Sequence, residues 1–244
     1  AFHVFVLGQI SYAFHIAKMM NIKLVFFGEN GELEYAADPK GIDRPFKPVE
    51  EWSDQHFKGS TLKELLNKGL EVKDYLKKNK EEILNEDLSF YEPLSIDEMS
   101  SSGIEGKYFF SYYQKWNPQE NYYYAAKYFD FEANSERSEG TYSKYASLDD
   151  RMDGFHYYMR YIKFGLGRCV EDASHEIRDK NINREEGLLL ARKFDGNFPN
   201  KYFNDFLSYL NINHTEFTEI EDSWRLDHIW KKEGNQWKLK KTIE

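Results

Sequence analysis

The sequence predicts an α/β protein in which a partial parallel sheet near the start gives way to a mostly α-helical remainder. Residues 1–20 are apolar nearly all round, and the short apolar run Lys23 to Phe27 follows, stopped by Gly28. A buried helix leading into a continuous apolar strand is the pattern of a parallel sheet covered on both faces. Further on, apolar residues recur at spacings of three and four, as on helices. The natural division is residues 1–48 as the end of an α/β domain and 49–244 as a mainly helical region.

Taken in order, Asn21 can end the first helix. Gly28-Glu29-Asn30-Gly31 then lies at the carboxyl end of the strand, where open parallel sheets gather ligands. Gly28 would let a ligand approach the backbone, and Glu29 and Asn30 could hold a magnesium ion or a polar substrate. The same residues are also plain turn chemistry. Asp38 to Pro48, rich in proline, glycine and charge, reads as a linker or surface loop. Leu62 to Leu84 alternates Leu and Ile with Lys and Glu as an amphipathic helix, and Ser95 to Gly106 reads as a loop.

The stretch from Lys107 to Phe131 is crowded with aromatic residues. Most such rings make core, while Tyr113 and Trp116 are the best candidates to line a sugar pocket. Asp149 and Asp150 suit the first turn of the helix that follows. In that helix Met152, Phe155, Met159, Ile162 and Leu166 form one buried stripe, with His156, Arg160 and Lys163 on a neighbouring face. After the glycines, Val170, Ala173 and Ile177 make a second stripe, and Arg168, Asp172, His175 and Glu176 share another face. Asn183 with Glu186 matches a helix cap. Phe203, Phe206, Leu207 and Leu210 form a helical stripe, as do Phe217, Ile220 and Trp224. Trp230 and Trp237 flank Gly234-Asn235, a hairpin signal.

The formal charge of −9 opposes a nucleic acid backbone, and no basic, aromatic-interleaved patch overrides it. Cys169 is the one cysteine, which leaves no disulfide framework and fits a reducing cytoplasm. It reads as a small buried residue rather than a nucleophile. His3, Gln9 and His15 interrupt the apolar start, so it does not read as a membrane span.

The run Lys163-Phe164-Gly165-Leu166-Gly167-Arg168 is where chemistry concentrates. Cations stabilise negative charge, and glycines let backbone amides approach a phosphate. The run nevertheless lacks the order of a Walker loop. His156, Asp172, His175 and Glu176 could serve as acid–base groups or as ordinary salt links.

A wider pattern carries a resemblance. The segments Gly28-Glu29-Asn30, Glu34-Tyr35, Trp116, Gly140-Thr141-Tyr142 and Leu148-Asp149-Asp150 come first. Ile162 to Arg168, Glu176-Ile177-Arg178, Arg184-Glu185-Glu186 and Phe194-Asp195-Gly196 follow. In this order they resemble the N-acetyl sugar amidotransferase family, over nearly the whole chain. The resemblance implies a PP-loop ATP-pyrophosphatase (Rossmann-like) domain, of which residues 1–48 would be the C-terminal portion of the nucleotide-binding part. It also implies ATP and Mg2+, an N-acetylated sugar as substrate, and a glutaminase and cyclase-like pair supplying ammonia. The setting would be bacterial surface polysaccharide or flagellin glycan biosynthesis, including pseudaminic acid pathways.

The Ser-Gly-Gly-x-Asp-Ser loop and the N-terminal cysteine pairs of that family are missing from these residues. The chain is therefore expected to be about the C-terminal two-thirds of the enzyme and not to hydrolyse ATP alone. On this reading Lys163, Arg168, Asp172 and Glu176 are the catalytic candidates. Gly28, Glu29, Asn30, Glu34, Tyr35, Trp116, Gly165, Gly167 and Arg178 are the substrate- and nucleotide-binding ones. A sugar-binding or partner-docking module is the alternative.

Overall fold

The structure is a computed structural model that describes residues 2–28, 30–31, 43–48 and 87–243, together with residues 51, 62, 64, 66, 67 and 81. Most of the amphipathic stretch expected at Leu62 to Leu84 lies outside the described residues. The chain divides into two compact units, Ala1–Lys115 and Trp116–Glu244.

In the first unit, helix α1 (Phe2–Met19) ends where expected. Asn21 takes a left-handed conformation (φ 55°), which asparagine tolerates better than most residues. Ile10, Phe14 and Ala17, spaced by four and three, form its buried face against Leu94, Met99 and Ile104. Tyr12 and Met19 point to solvent, so α1 buries one face where its all-round apolarity predicts more.

Strand β1 (Val25–Phe27) pairs in parallel with β3 (Gly106–Phe109), and β2 (Phe46–Pro48) runs antiparallel along the other edge of β3. The order β1-β3-β2 makes a small mixed sheet, where the sequence predicts a parallel Rossmann-like one. The outer face of β1 is also open. Phe26 is 47% exposed and contacts the rings of Tyr108, Phe110 and Tyr113 edge-on.

Two segments expected as loops are regular. Phe46–Pro48, inside the presumed linker, is the edge strand β2, and proline is tolerated there because an edge need not donate on both sides. Helix α2 (Ile96–Ser102) occupies the stretch from Ser95 to Gly106. Its signal was present: Ser95 and Glu98 form a complete capping box, and Gly103 closes the helix in the left-handed region. The short helix α3 (Phe110–Tyr113) completes the unit.

The second unit opens with Asn117 capping α4 (Pro118–Tyr128). Helices α5 (Asp153–Phe164), α6 (Arg168–Arg178), α7 (Arg184–Phe194), α8 (Phe203–Leu210) and α9 (His214–Trp224) follow. The hairpin of β4 (Trp230–Glu233) and β5 (Gln236–Leu239) then turns at Gly234. The expected cap of α7 is a full box between Asn183 and Glu186.

An aromatic cluster organises the core of this unit. Phe155 of α5 stacks on Phe206 at 4.1 Å and on Phe203 at 5.7 Å, and Phe217 of α9 meets both edge-on. The α5 stripe holds at Phe155 and Ile162, both 1% exposed. It stops short of Leu166, which follows the helix end and is exposed. On α9 Phe217 is buried, while Ile220 and Trp224 are open. Among the described residues, no helix is long and apolar enough to cross a membrane.

Candidate functional site

The glycine corner is a helix–helix joint. Gly165 ends α5 in the left-handed region (φ 73°) and donates to Tyr161 O at 2.7 Å. Another carbonyl of that last turn, Ile162 O, accepts the indole N–H of Trp230 at 2.6 Å. At the start of α6 the backbone N–H groups of Gly167, Cys169 and Val170 donate to the carboxylate of Asp195, at 3.0, 2.8 and 3.3 Å. A Cβ on Gly167 would sit 2.8 Å from Asp195 Oδ1, so glycine is what lets the carboxylate reach the helix end.

Asp195 therefore fills the place that the sequence offers to a phosphate. The corner does not fit such a group, because its amides are already bonded and a carboxylate stands in the way. Burial pushes the Asp195 carboxyl above the ordinary carboxylate range, against the pull of the three N–H donors. Asp195→Ala is expected to destabilise this unit by about 1–3 kcal/mol, since it orphans three amides at once. Asp195→Asn, which keeps one acceptor, should cost less. Urea unfolding of both variants checks the order, and equal losses would show that charge, not capping, is what matters there.

The six residues of the corner point in different directions. Lys163 is exposed, with Nζ 5.3 Å from the Phe164 ring and 5.5 Å from the Trp224 ring, and it lines neither cavity described below. Arg168 turns inward. Its Nε donates to Asp172 Oδ1 at 3.0 Å and its Nη1 to Ser147 Oγ at 3.0 Å, while Asp153 Oδ2 lies 3.6 Å away. The guanidinium centre stacks 4.2 Å from the Tyr157 ring. Burial opposes its charge, but Asp172, Tyr157 and Asp153 more than offset this and hold Arg168 above its ordinary range. The second oxygen of Asp172 accepts from Thr141 Oγ1 at 2.5 Å, which gives the Gly140-Thr141-Tyr142 segment its role.

Arg168 borders two cavities. One, of about 210 Å³, is polar and includes Arg137, Ser147, Asp150, Arg151, Tyr157 and Lys201. Asp150 accepts from Met152 N at its edge, a turn bond rather than a place in the helix. The other, of about 340 Å³, is walled by Trp116, Tyr122, Phe131 and Tyr145 and floored by the α6 residues Asp172, His175 and Glu176. Tyr122 and Tyr145 stack at 4.5 Å, and Trp116 stands edge-on to His175 at 4.9 Å. Four of the catalytic and binding candidates, Trp116, Arg168, Asp172 and Glu176, thus line one cavity, together with His175.

Around them the supports are local. Asn181 Nδ2 donates to Glu176 Oε2 at 2.7 Å. Arg178 Nη2 lies 2.5 Å from His175 Nδ1, and because a guanidinium only donates, that nitrogen accepts. Tyr142 also lines the cavity, and its hydroxyl is buried without a hydrogen-bond partner. Burial first, then Asp172 and Glu176, pushes Tyr142 far above the ordinary tyrosine range. Burial, then Glu176 and Asp172, pushes Tyr145 up to about 12. Cys169 is fully buried, and burial followed by Asp195 raises its thiol to about 12, so it remains protonated and inert.

The sequence singled out Trp116 among the aromatic walls but not Tyr122 or Tyr145. Tyr122 is hidden in an aromatic-rich stretch and Tyr145 in a loop, while Thr141 was visible as part of a motif whose partner on α6 only the fold shows.

In the first unit, Gly28 follows β1 with open space where a Cβ would stand, and Asn30 is buried, its Nδ2 3.2 Å from Ser111 Oγ. Glu29, Glu34 and Tyr35 lie outside the described residues. Among the described residues no group of three or more His, Cys, Asp or Glu could hold a metal ion.

A comparison with curated proteins finds no match to this chain. Residues 139–244, which run from the segment around Thr141 through the Arg168 joint to the final hairpin, match the family model of the LPS biosynthesis protein WbpG-like C-terminal domain, and this part of the chain is similar to that lipopolysaccharide-biosynthesis family.

Proposed function

We propose that the protein is part of an ATP-dependent amidotransferase that converts the acetamido group of an N-acetyl sugar to an acetamidino group during bacterial surface polysaccharide or flagellin glycan biosynthesis. The observation that carries this reading is the cavity beneath Trp116. Flat aromatic walls suit the apolar faces of a sugar ring, and the Asp172 and Glu176 carboxylates suit its hydroxyl and N–H donors. The similarity of residues 139–244 to lipopolysaccharide biosynthesis proteins supports the setting.

ATP with Mg2+ enters through the sequence resemblance: the amide oxygen would bond to the α-phosphorus as pyrophosphate leaves, and would so become a leaving group. Ammonia from a glutaminase partner then forms the new C–N bond as the C–O bond breaks, and the oxygen departs on AMP. In this reading Arg168 is a positioning residue that holds Asp172, and Asp172 and Glu176 meet the sugar.

The native protein, given ATP, Mg2+, ammonium chloride and a panel of free and nucleotide-linked N-acetyl sugars, is expected to yield a product in which one oxygen is replaced by NH, read by mass spectrometry. Asp172→Asn should lower its formation. If no sugar in the panel is converted while titration calorimetry still reports binding that Trp116→Ala abolishes, the chain is a sugar-binding module and not part of an amidotransferase.

A further inference from the structure

The aromatic cavity carries more negative charge than a neutral sugar requires. Among its described lining residues Arg168 is the one cation, and it is already shared between Asp172 and Asp153. His175 Nδ1 stands 2.5 Å from the guanidinium of Arg178. Asp172 is paired with Arg168, while Glu176, whose carboxylate accepts from the neutral amide of Asn181, brings a second negative charge to the space. Their field is one cause of the raised hydroxyls of Tyr142 and Tyr145. Around these carboxylates stand π-faces: the stacked pair Tyr122 and Tyr145, Phe131 edge-on to Tyr122 at 6.1 Å, and Trp116. Carboxylates framed by aromatic rings form a site for a small cation, since the rings attract positive charge through their quadrupoles.

We propose that this cavity recognises a planar amidinium cation, and that Glu176, with Tyr122 and Trp116, distinguishes it from the isosteric neutral amide. Resting on the function proposed above, the inference is that the site is matched to the product group rather than the substrate group. As ammonia's lone pair forms the new C–N bond and the C–O bond breaks, positive charge spreads over the N–C–N unit. An anionic, aromatic pocket favours that charge over the starting amide, which is the differential binding that catalysis needs. The same preference implies that the amidinium product holds on and slows its own release.

The probes are acetamidinium chloride and acetamide, each titrated into the 244-residue chain at matched ionic strength. The readout is the indole N–H resonance of Trp116, identified with Trp116→Phe. Acetamidinium is expected to shift that resonance saturably, with acetamide at the same concentration leaving it in place. Glu176→Gln, which keeps an oxygen for Asn181, should weaken acetamidinium binding about tenfold. Tyr122→Leu, which leaves every carboxylate intact, should weaken it roughly twofold to fivefold. Equal responses to both probes, or an acetamidinium shift unchanged by Glu176→Gln, would overturn the proposal. Saturable, Glu176-dependent acetamidinium binding by a protein that converts no N-acetyl sugar would keep the cation site and sink the amidotransferase reading instead.

Discussion

Phe155→Ala is expected to cost the second unit about 3–5 kcal/mol, the range for removing a large aromatic side chain from a packed core. Phe155 is 1% exposed, lies face to face with Phe206 at 4.1 Å, and also touches Phe203 and Phe198. It joins α5 to α8, so the hole left behind is lined by rings on separate helices that cannot all move in to fill it. Phe155→Leu should recover more than half of the loss by keeping most of the buried area. Thermal and urea unfolding of both variants provide the check. A cost for Phe155→Ala under about 1 kcal/mol would mean that the cluster is loosely packed and that α5 is held mainly through the Arg168 joint.

Gly196→Ala should be nearly as damaging, at about 2–5 kcal/mol, from two separable causes. The backbone there is left-handed (φ 73°), which costs a residue with a Cβ roughly 1–2 kcal/mol. The new Cβ would also stand 2.3 Å from Tyr161 Cε1 and 2.6 Å from Cζ, inside the ring's contact surface. Tyr161 has little room to yield, because its ring packs edge-on against Trp230 at 5.5 Å. Combining Gly196→Ala with Tyr161→Ala removes the collision and leaves the conformational part. The double variant should therefore be more stable than the sum of the single effects implies. Strict additivity would show that the ring and the turn do not meet.

These two positions show what was legible in the sequence. Phe155 was visible because helical burial repeats at three and four residues and α5 follows that rule through Ile162. Leu166 fits the same arithmetic, yet it lies beyond Gly165, where the helix has ended and periodicity no longer governs direction. Phe194-Asp195-Gly196 was visible as a motif without a meaning. Its work is done across a gap of 28 residues, with Asp195 receiving Gly167 N, and no local spacing records such a partnership.

The same limit explains the misplaced phosphate site. Glycines beside cations describe equally well an anion cradle and a helix end closed by the protein's own carboxylate, and only the fold distinguishes them. Asp172 and Glu176 were readable as one helix face at i and i+4. The rings they face come from α4, from its flanks at Trp116 and Phe131, and from the loop around Tyr145, and the sequence does not say which of many aromatic residues will meet α6. In the first unit, β1 and the end of α1 at Asn21 were plain. β2 was lost because Phe46-Lys47-Pro48 is too short to outweigh its proline, and α2 because a seven-residue helix with three serines shows little periodicity.

The bond from Trp230 to Ile162 makes the closing hairpin an optical gauge of the joint. Indole emission depends on local polarity, and Trp230 is 5% exposed with its N–H committed to a carbonyl of the last turn of α5. In a variant that keeps Trp230 as its one tryptophan, any detachment of the hairpin would transfer that ring to water and redden the fluorescence. The closing of α5 by the hairpin can therefore be followed in real time through the emission of that single ring, with no assay of turnover.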